Sequence, residues 1–321
     1  MLLANCLICT VRASPPRQSN NLLPSDRVRV GTRGSILAMW QARWVSERLM
    51  GVDPGYSVEI VEIKTRGALH QDLGSLPGMG HFTSELELAL AEGRIDLAVH
   101  SLKDLPVEDS PGVRVAAIPV RHNSSDSLVS SSGASLMSLE EGTRIGTGSP
   151  RRASLLMSHR PDLDVVDIRG NVDTRIRKVD EGIYGAVVLA TAGLVRLGIE
   201  ARISERLSEW EFPPAPGQGA LAVQMRDEDS RLHRIVRTLD DPNASTTARA
   251  ERSFLRGLGG GCALPVGAHA WQESGQLSLL GFVGSSNGSP SLRAEVTGDD
   301  AETLGARLAE QMLSAGARDL L

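Results

Sequence analysis

Three features of the sequence predict an α/β protein built of two similar units with a hinged cleft between them, followed by a smaller α+β unit. From Arg27 onward, short apolar runs alternate with amphipathic segments of helical period, the pattern of strands covered by helices. Near Arg144 the same pattern starts again. Two stretches rich in turn formers and poor in core residues, 121–126 and 212–219, interrupt it, as links between units do. The length of 321 residues allows two or three compact domains.

In the first unit, residues 28–30 read as a strand that runs into Gly31-Thr32-Arg33-Gly34-Ser35. Ser35 suits a helix cap, and Leu37, Trp40, Trp44, Val45 and Arg48 follow at helical spacing until Gly51. Residues 58–63 alternate like a strand. Ser84 and Glu87 have the spacing of a capping box that opens a helix stopping at Gly93. Residues 96–100 and 113–118 predict two buried strands. The second unit repeats the plan. Residues 144–146 predict a strand, Ser149 and Pro150 the cap and first turn of a helix, and 165–168 and 186–190 two further strands. The halves share this layout without a close residue-level repeat. After the second link, 221–225 reads as a strand able to return to the first unit. A helix over 246–258, a glycine run, strands over 277–283 and 292–296, and a helix over 301–315 make up the last unit. The predicted division is an extension over 1–26, a discontinuous first domain of 27–122 and 220–238, a second domain of 123–219, and a C-terminal domain of 239–321.

Composition narrows the functional classes. Hydrophobic residues at 41% and charged residues at 23% are ordinary for a globular protein. Aromatic residues at 3% are too few for a base-stacking surface. A net charge of −5 provides no general attraction to nucleic acid or anionic membranes. Three cysteines form no disulfide framework and fit the reducing cytoplasm. Cys6 and Cys9 lack the second ligand pair that a zinc site needs, so no metal is expected. The apolar stretch near the start is broken by Asn5 and has no basic residue before it, unlike a secretory signal. No run approaches the length that spans a bilayer.

Of 34 basic residues only Lys64, Lys103 and Lys178 are lysines. A GC-rich genome would leave that bias, and so would repeated bidentate binding of carboxylates. Position adds what bias lacks. Arg29, Arg33, Arg151, Arg152, Arg169, Arg175 and Arg196 all stand at or just after predicted strand ends, where open α/β sheets bind their ligands. Arg151 and Arg152 also fall in the first turn of a helix, a natural anion site. Such a set predicts a cationic cleft and a ligand carrying many carboxylates. Asp104, beside Lys103 after a buried strand, reads either as half of an ion pair or as an acid/base group that steadies developing positive charge. Cys262 follows three glycines. It is either a small buried apolar residue or an approachable thiolate able to form a covalent bond.

Together these strings resemble the porphobilinogen deaminase (hydroxymethylbilane synthase) family. The resemblance rests on residues 31–35, 98–106, 146–152, 169–175, 216–220 and 260–267, in family order and within a likeness covering about 27–321. It implies two periplasmic-binding-protein-like domains with a cleft between them and a smaller C-terminal domain. It implies a dipyrromethane cofactor joined by a thioether to Cys262, and a monomer that acts on the small molecule porphobilinogen, with no nucleic-acid or membrane partner. Four substrate molecules would be joined head to tail with loss of ammonia, and hydrolysis would release hydroxymethylbilane for porphyrin and haem synthesis. Asp104 would be the acid/base residue. Arg29, Arg33, Ser35, Arg151, Arg152, Arg169, Arg175 and Arg196 would hold carboxylates, and Ser101, Lys103, Thr147, Ser149 and Gln218 would contact cofactor or substrate. The chain departs from the pattern where Ser75 and Met79 stand in place of common lysines in the loop 68–81, which keeps Phe82 after it, and where Gly148 replaces a common serine. Two other readings remain: a non-catalytic two-domain binder of small anions, which leaves Cys262, Asp104 and the third domain without roles, and other thiol chemistry, which lacks a histidine partner.

Overall fold

The computed structural model describes residues 27–53, 55–64, 84–261 and 264–321. Cys6, Cys9, Cys262 and the loop 68–81, with Ser75, Met79 and Phe82, lie outside the described residues.

Among the described residues the strands form three sheets. The first contains β1 (Arg27–Thr32), β2 (Ser57–Glu62), β3 (Leu97–Ser101), β4 (Val113–Ala117) and β10 (Leu221–Arg226), in the order β2-β1-β3-β10-β4. The second contains β5 (Asp126–Ser130), β6 (Arg144–Gly146), β7 (Asp164–Val166), β8 (Ala186–Ala190) and β9 (Glu205–Leu207), in the order β7-β6-β8-β5-β9. The two sheets share one topology. In each, the first three strands run parallel, and a strand arriving from the other lobe is inserted antiparallel next to the edge. That strand is β5 in the second sheet and β10 in the first, so each link between the lobes leads straight into a central strand.

Helix α1 (Ile36–Val52) starts as expected, with the Ala38 N–H donating to Ser35 Oγ at 3.3 Å, and buries Ala42, Val45 and Leu49 against the first sheet. Helix α2 (Ser84–Ala91) begins at the first residue described after 64, and Gly93, at φ 68°, ends the turn that follows. The second lobe carries α3 (Pro150–His159), capped by Ser149, then α4 (Val172–Asp180) and α5 (Thr191–Arg196). Helix α6 (Ser230–Val236) packs with the first sheet.

The links differ most from expectation. They are not poor in core: Ser124, Ser125, Asp126, Phe212 and Gln218 are all buried. They cross at Gly219, whose carbonyl accepts from His122 N at 3.2 Å. Its φ of 86°, and a Cβ position only 2.5 Å from His122 O, leave room for glycine alone.

The C-terminal unit has an antiparallel sheet of β11 (Val266–Glu273), β12 (Gln276–Val283) and β13 (Leu292–Gly298). It is covered by α7 (Pro242–Gly257) and α8 (Ala301–Ser314), with Phe254, Leu279, Leu304 and Leu308 at the centre. Helix α7 starts four residues before the expected Thr246, because Asp241 caps it through Ala244 N at 2.7 Å and Pro242 occupies its first turn.

Candidate functional site

The parallel strands β1 and β3 of one lobe and β6 and β8 of the other point their carboxyl ends into the space between the lobes. After β1 come Arg33, Ser35 and the N-terminus of α1. A short 3-10 turn, Leu102–Asp104, follows β3 and presents Lys103 and Asp104. After β6 come Thr147, Ser149 and the first turn of α3, with Arg151 and Arg152. Gly170, Asn171 and Arg175 stand at the start of α4.

These segments enclose two adjoining cavities. One, of about 230 Å³, is lined by Arg33, Ser35, Gln41, His100, Ser101, Lys103, Asp104, Arg152, Asn171 and Arg175, among others. The other, of about 190 Å³, is lined by Lys103, Asp104, Ser149, Arg151, Arg152 and Gln218, and by Gly261, Leu255, Leu264 and Val266 of the C-terminal unit. Lys103, Asp104 and Arg152 belong to both. Asp104 itself is exposed to solvent.

A buried charge cluster lies behind this junction. Arg151 and Arg152 share the carboxylate of Asp126, which is 0% exposed. Arg151 Nη2 lies 2.8 Å from its Oδ2, and Arg152 donates to its Oδ1 from Nη2 at 2.6 Å and from Nε at 3.0 Å. Burial by itself would push the Asp126 carboxyl up, but the two guanidiniums and the Gln218 amide hold it far below the usual carboxylate range. Gln218 connects the parts: its Nε2 donates to Ser124 O at 2.7 Å and to Asp126 at 2.8 Å, and its Oε1 accepts from Lys103 Nζ at 3.1 Å. Burial, aided by Arg152, lowers Lys103 to about 8 against the pull of Asp104 and Asp126. Burial also lowers His100 to about 4, with Gln224 opposing and Arg33 assisting, so the imidazole is neutral at ordinary pH. Two carboxylates, Asp104 and Asp126, against Arg151, Arg152 and Lys103 leave the junction with an excess of positive charge.

The structure therefore brings together Arg33, Ser35, Ser101, Lys103, Asp104, Ser149, Arg151, Arg152, Arg175 and Gln218. Thr147 lines neither cavity but is buried behind them, where its hydroxyl accepts from Ser149 N at 3.2 Å. Gly148 fits closely, since a Cβ there would come within 3.0 Å of Asp167 Oδ1 and 3.1 Å of Ile168 O.

Three arginines depart from the expected cluster. Arg29 lies within β1 and forks onto Asp96 at 2.7 and 3.0 Å, at the start of β3 and away from its carboxyl end. The alternation of the strand, together with that carboxylate, removes it from the cleft. Arg169 is 82% exposed and paired with Asp167 at 2.8 Å, lining neither cavity. Arg196 is buried, donating to Gly219 O at 2.6 Å and lying over the Trp40 ring, and burial lowers it to about 10. It therefore braces the link between the lobes. Sequence reasoning missed Asp126, Gln41 and Asn171. For Asp126 the available signal was the pair of adjacent arginines, which cannot both be buried without a carboxylate.

The family model "Porphobilinogen deaminase, dipyromethane cofactor binding domain" matches residues 28–234, and "Porphobilinogen deaminase, C-terminal domain" matches 245–314. The chain belongs to the porphobilinogen deaminase family. A porphobilinogen deaminase of Xanthomonas axonopodis pv. citri (strain 306) is 46% identical over 299 residues, covering 92% of this chain and 98% of that protein. One of Syntrophotalea carbinolica (strain DSM 2380 / NBRC 103641 / GraBd1) is 43% identical over 303 residues, covering 93% and 96%. Among solved structures, the methionine-binding protein MetQ matches with a TM-score of 0.44 at 12% identity, over 71% of this chain and 95% of that one.

The cofactor of the family is a dipyrromethane, and the second cavity suits it. Arg151, Arg152 and Lys103 offer cationic partners for its carboxylates, while Leu255, Leu264 and Val266 offer apolar surface for its rings. Among the described residues, no group of three or more His, Cys, Asp and Glu side chains is placed to hold a metal ion, and no helix is long and apolar enough to cross a membrane.

Proposed function

We propose that this protein is a deaminating transferase that joins four porphobilinogen molecules head to tail onto a dipyrromethane held through a thioether to Cys262, and releases hydroxymethylbilane by hydrolysis. The observation that carries this reading is the meeting of two cationic cavities at Asp104, one of them ending at Gly261, the residue before Cys262. A small-anion binder would need only one cavity, and its third domain would have no task.

The residues divide the work. Arg33, Ser35 and Arg175 on the substrate side take the two carboxylates that each porphobilinogen carries, and Arg151 and Arg152 take those of the cofactor. Each charge-assisted contact contributes about 1.5–3 kcal/mol. Loss of ammonia leaves positive charge shared with the pyrrole nitrogen. Asp104 accepts a hydrogen bond from that N–H and stabilises the charge as it forms. Once the new carbon–carbon bond is made, the same carboxylate takes up the proton that the joined ring carbon releases. The dipyrromethane, when bound, supplies the free pyrrole carbon to which the first unit joins. Residues 27–122 with 220–238 and residues 123–219 are read as two lobes that shift about the links as the chain lengthens. A monomer in the cytoplasm, where thiols stay reduced, suits this chemistry.

The test is intact mass together with Ehrlich's reagent. The purified protein should carry the mass of two condensed pyrroles and give the colour reaction, and both should vanish in Cys262→Ser. A colourless chain of unmodified mass that never turns over porphobilinogen would refute the proposal.

A further inference from the structure

We infer that Glu251 is a positioning residue that ties the cysteine-bearing unit to both links between the lobes, so that the anchor keeps its place relative to Asp104 while the lobes move. The inference rests on the function proposed above and adds a residue that neither cavity touches.

Glu251 lies on α7 and is 0% exposed. Its carboxylate accepts four hydrogen bonds from three separate segments. Arg121 of the first link forks onto it from Nη1 and Nη2, both at 2.9 Å. Gly217 N of the second link donates at 2.7 Å, and Ala270 N of β11 at 3.0 Å. Helix α7 ends just before the glycine run that leads to Cys262, and β11 begins just after it. The carboxylate therefore grips both flanks of the cysteine loop. The guanidinium of Arg121 also donates from Nε to Gln218 O at 2.9 Å, and the side chain of Gln218 accepts from Lys103 beside Asp104. A short run of bonds thus leads from the cofactor loop to the catalytic turn.

The physical chemistry favours a positioning role over a contribution to stability alone. A buried ion pair often adds no more stability than well-packed apolar groups of the same shape. What it adds is direction: four donors at fixed angles accept no sliding. The links are where such direction matters, because each continues into a central strand of the opposite lobe. A tether that drifted there would misplace every successive addition.

Glu251→Gln by itself strands the Arg121 guanidinium, and a buried charge without a partner threatens folding. The decisive variant is therefore Arg121→Gln combined with Glu251→Gln, which buries no net charge. The measurements are thermal melting, intact mass before and after limited porphobilinogen, and kcat and KM. The expected variant melts close to the parent and carries the two-pyrrole mass. It shows an almost unchanged KM and a kcat lower by about 10²-fold, the cost of a reacting group displaced by about an ångström, and covalent species with one to three added units accumulate. A purely structural role predicts a lower melting temperature with a parental kcat per loaded molecule, and that outcome overturns the inference, as does parental turnover without accumulation. A wild-type chain without pyrrole mass sinks the proposed function and this inference with it, whereas a loaded wild type with a normally elongating double variant sinks this inference alone.

Discussion

Asp126→Asn probes the charge cluster behind the two cavities. Asparagine preserves the shape and one carbonyl oxygen but removes the negative charge that Arg151 and Arg152 share at 2.8 and 2.6 Å. With Asp126 at 0% and the arginines at 2% and 6% exposure, water cannot replace it. Breaking a buried pair by neutralising one partner costs about 3–5 kcal/mol. At about 2–4 °C per kcal/mol for chains of this order of size, the melting temperature should fall by roughly 10 °C. Calorimetry at pH 7.5 or so, backed by urea unfolding, measures this directly. The pH dependence follows from the sign of the shift. A carboxyl held below its unfolded value of about 3.9 contributes its full stability above that pH and loses it as pH falls through the folded value. The gap between parent and variant should therefore narrow as the pH falls below about 4. A loss of less than about 1 kcal/mol at neutral pH, or a gap that stays constant into acid, would refute the account of the cluster as a mutually dependent triad.

Asp104→Asn should retain bound cofactor and substrate while turnover falls by about 10²–10⁴-fold, and undiminished turnover in a stopped assay would reject its acid/base role. Lys103, lowered to about 8, is charged below that pH and neutral above it. Its charged form burdens the fold below pH 8 or so, a burden relieved as pH rises toward the unfolded value near 10.4, while its grip on carboxylates is lost over the same window. KM for porphobilinogen should thus climb as pH passes about 8, and Lys103→Arg should flatten that rise. Arg29→Met should cost on the order of 1 kcal/mol of stability, as partly exposed pairs do, with KM unchanged, while Arg33→Met should raise KM with little change in stability. The reverse pattern would return Arg29 to the ligand.

Much of the architecture was legible because its signals are local. The Ser35 and Ser149 caps, Pro150 in a first turn and the strand read over 58–63 involve neighbours within a few residues, and the structure repeats them with small shifts in boundaries, although that strand is half-buried along both faces and does not alternate. What stayed hidden was nonlocal. Strand β5 reads Asp-Ser-Leu-Val-Ser, too polar for a buried strand until the hydroxyls of Ser125 and Ser127 meet Thr191 at 2.7 Å and Asp126 meets the arginines. The links looked like exposed turns for the same reason, since their burial depends on a third unit that packs over them.

The sequence by itself determined the α/β class, the restart of the pattern and the motif strings that mark the family, and it raised the expectation of a ligand rich in carboxylates. Only the tertiary structure decided which arginines line the cavities between the lobes. Arg29 and Arg33 stand four residues apart and look alike in the sequence, yet Asp96, 67 residues further on, claims the first and leaves the second facing the cavity. A side chain's partner is chosen by proximity in space. Spacing along the chain predicts that proximity within one helix or strand, and it cannot do so across the pairing of β1 with β3 or the crossing of the two links at Gly219.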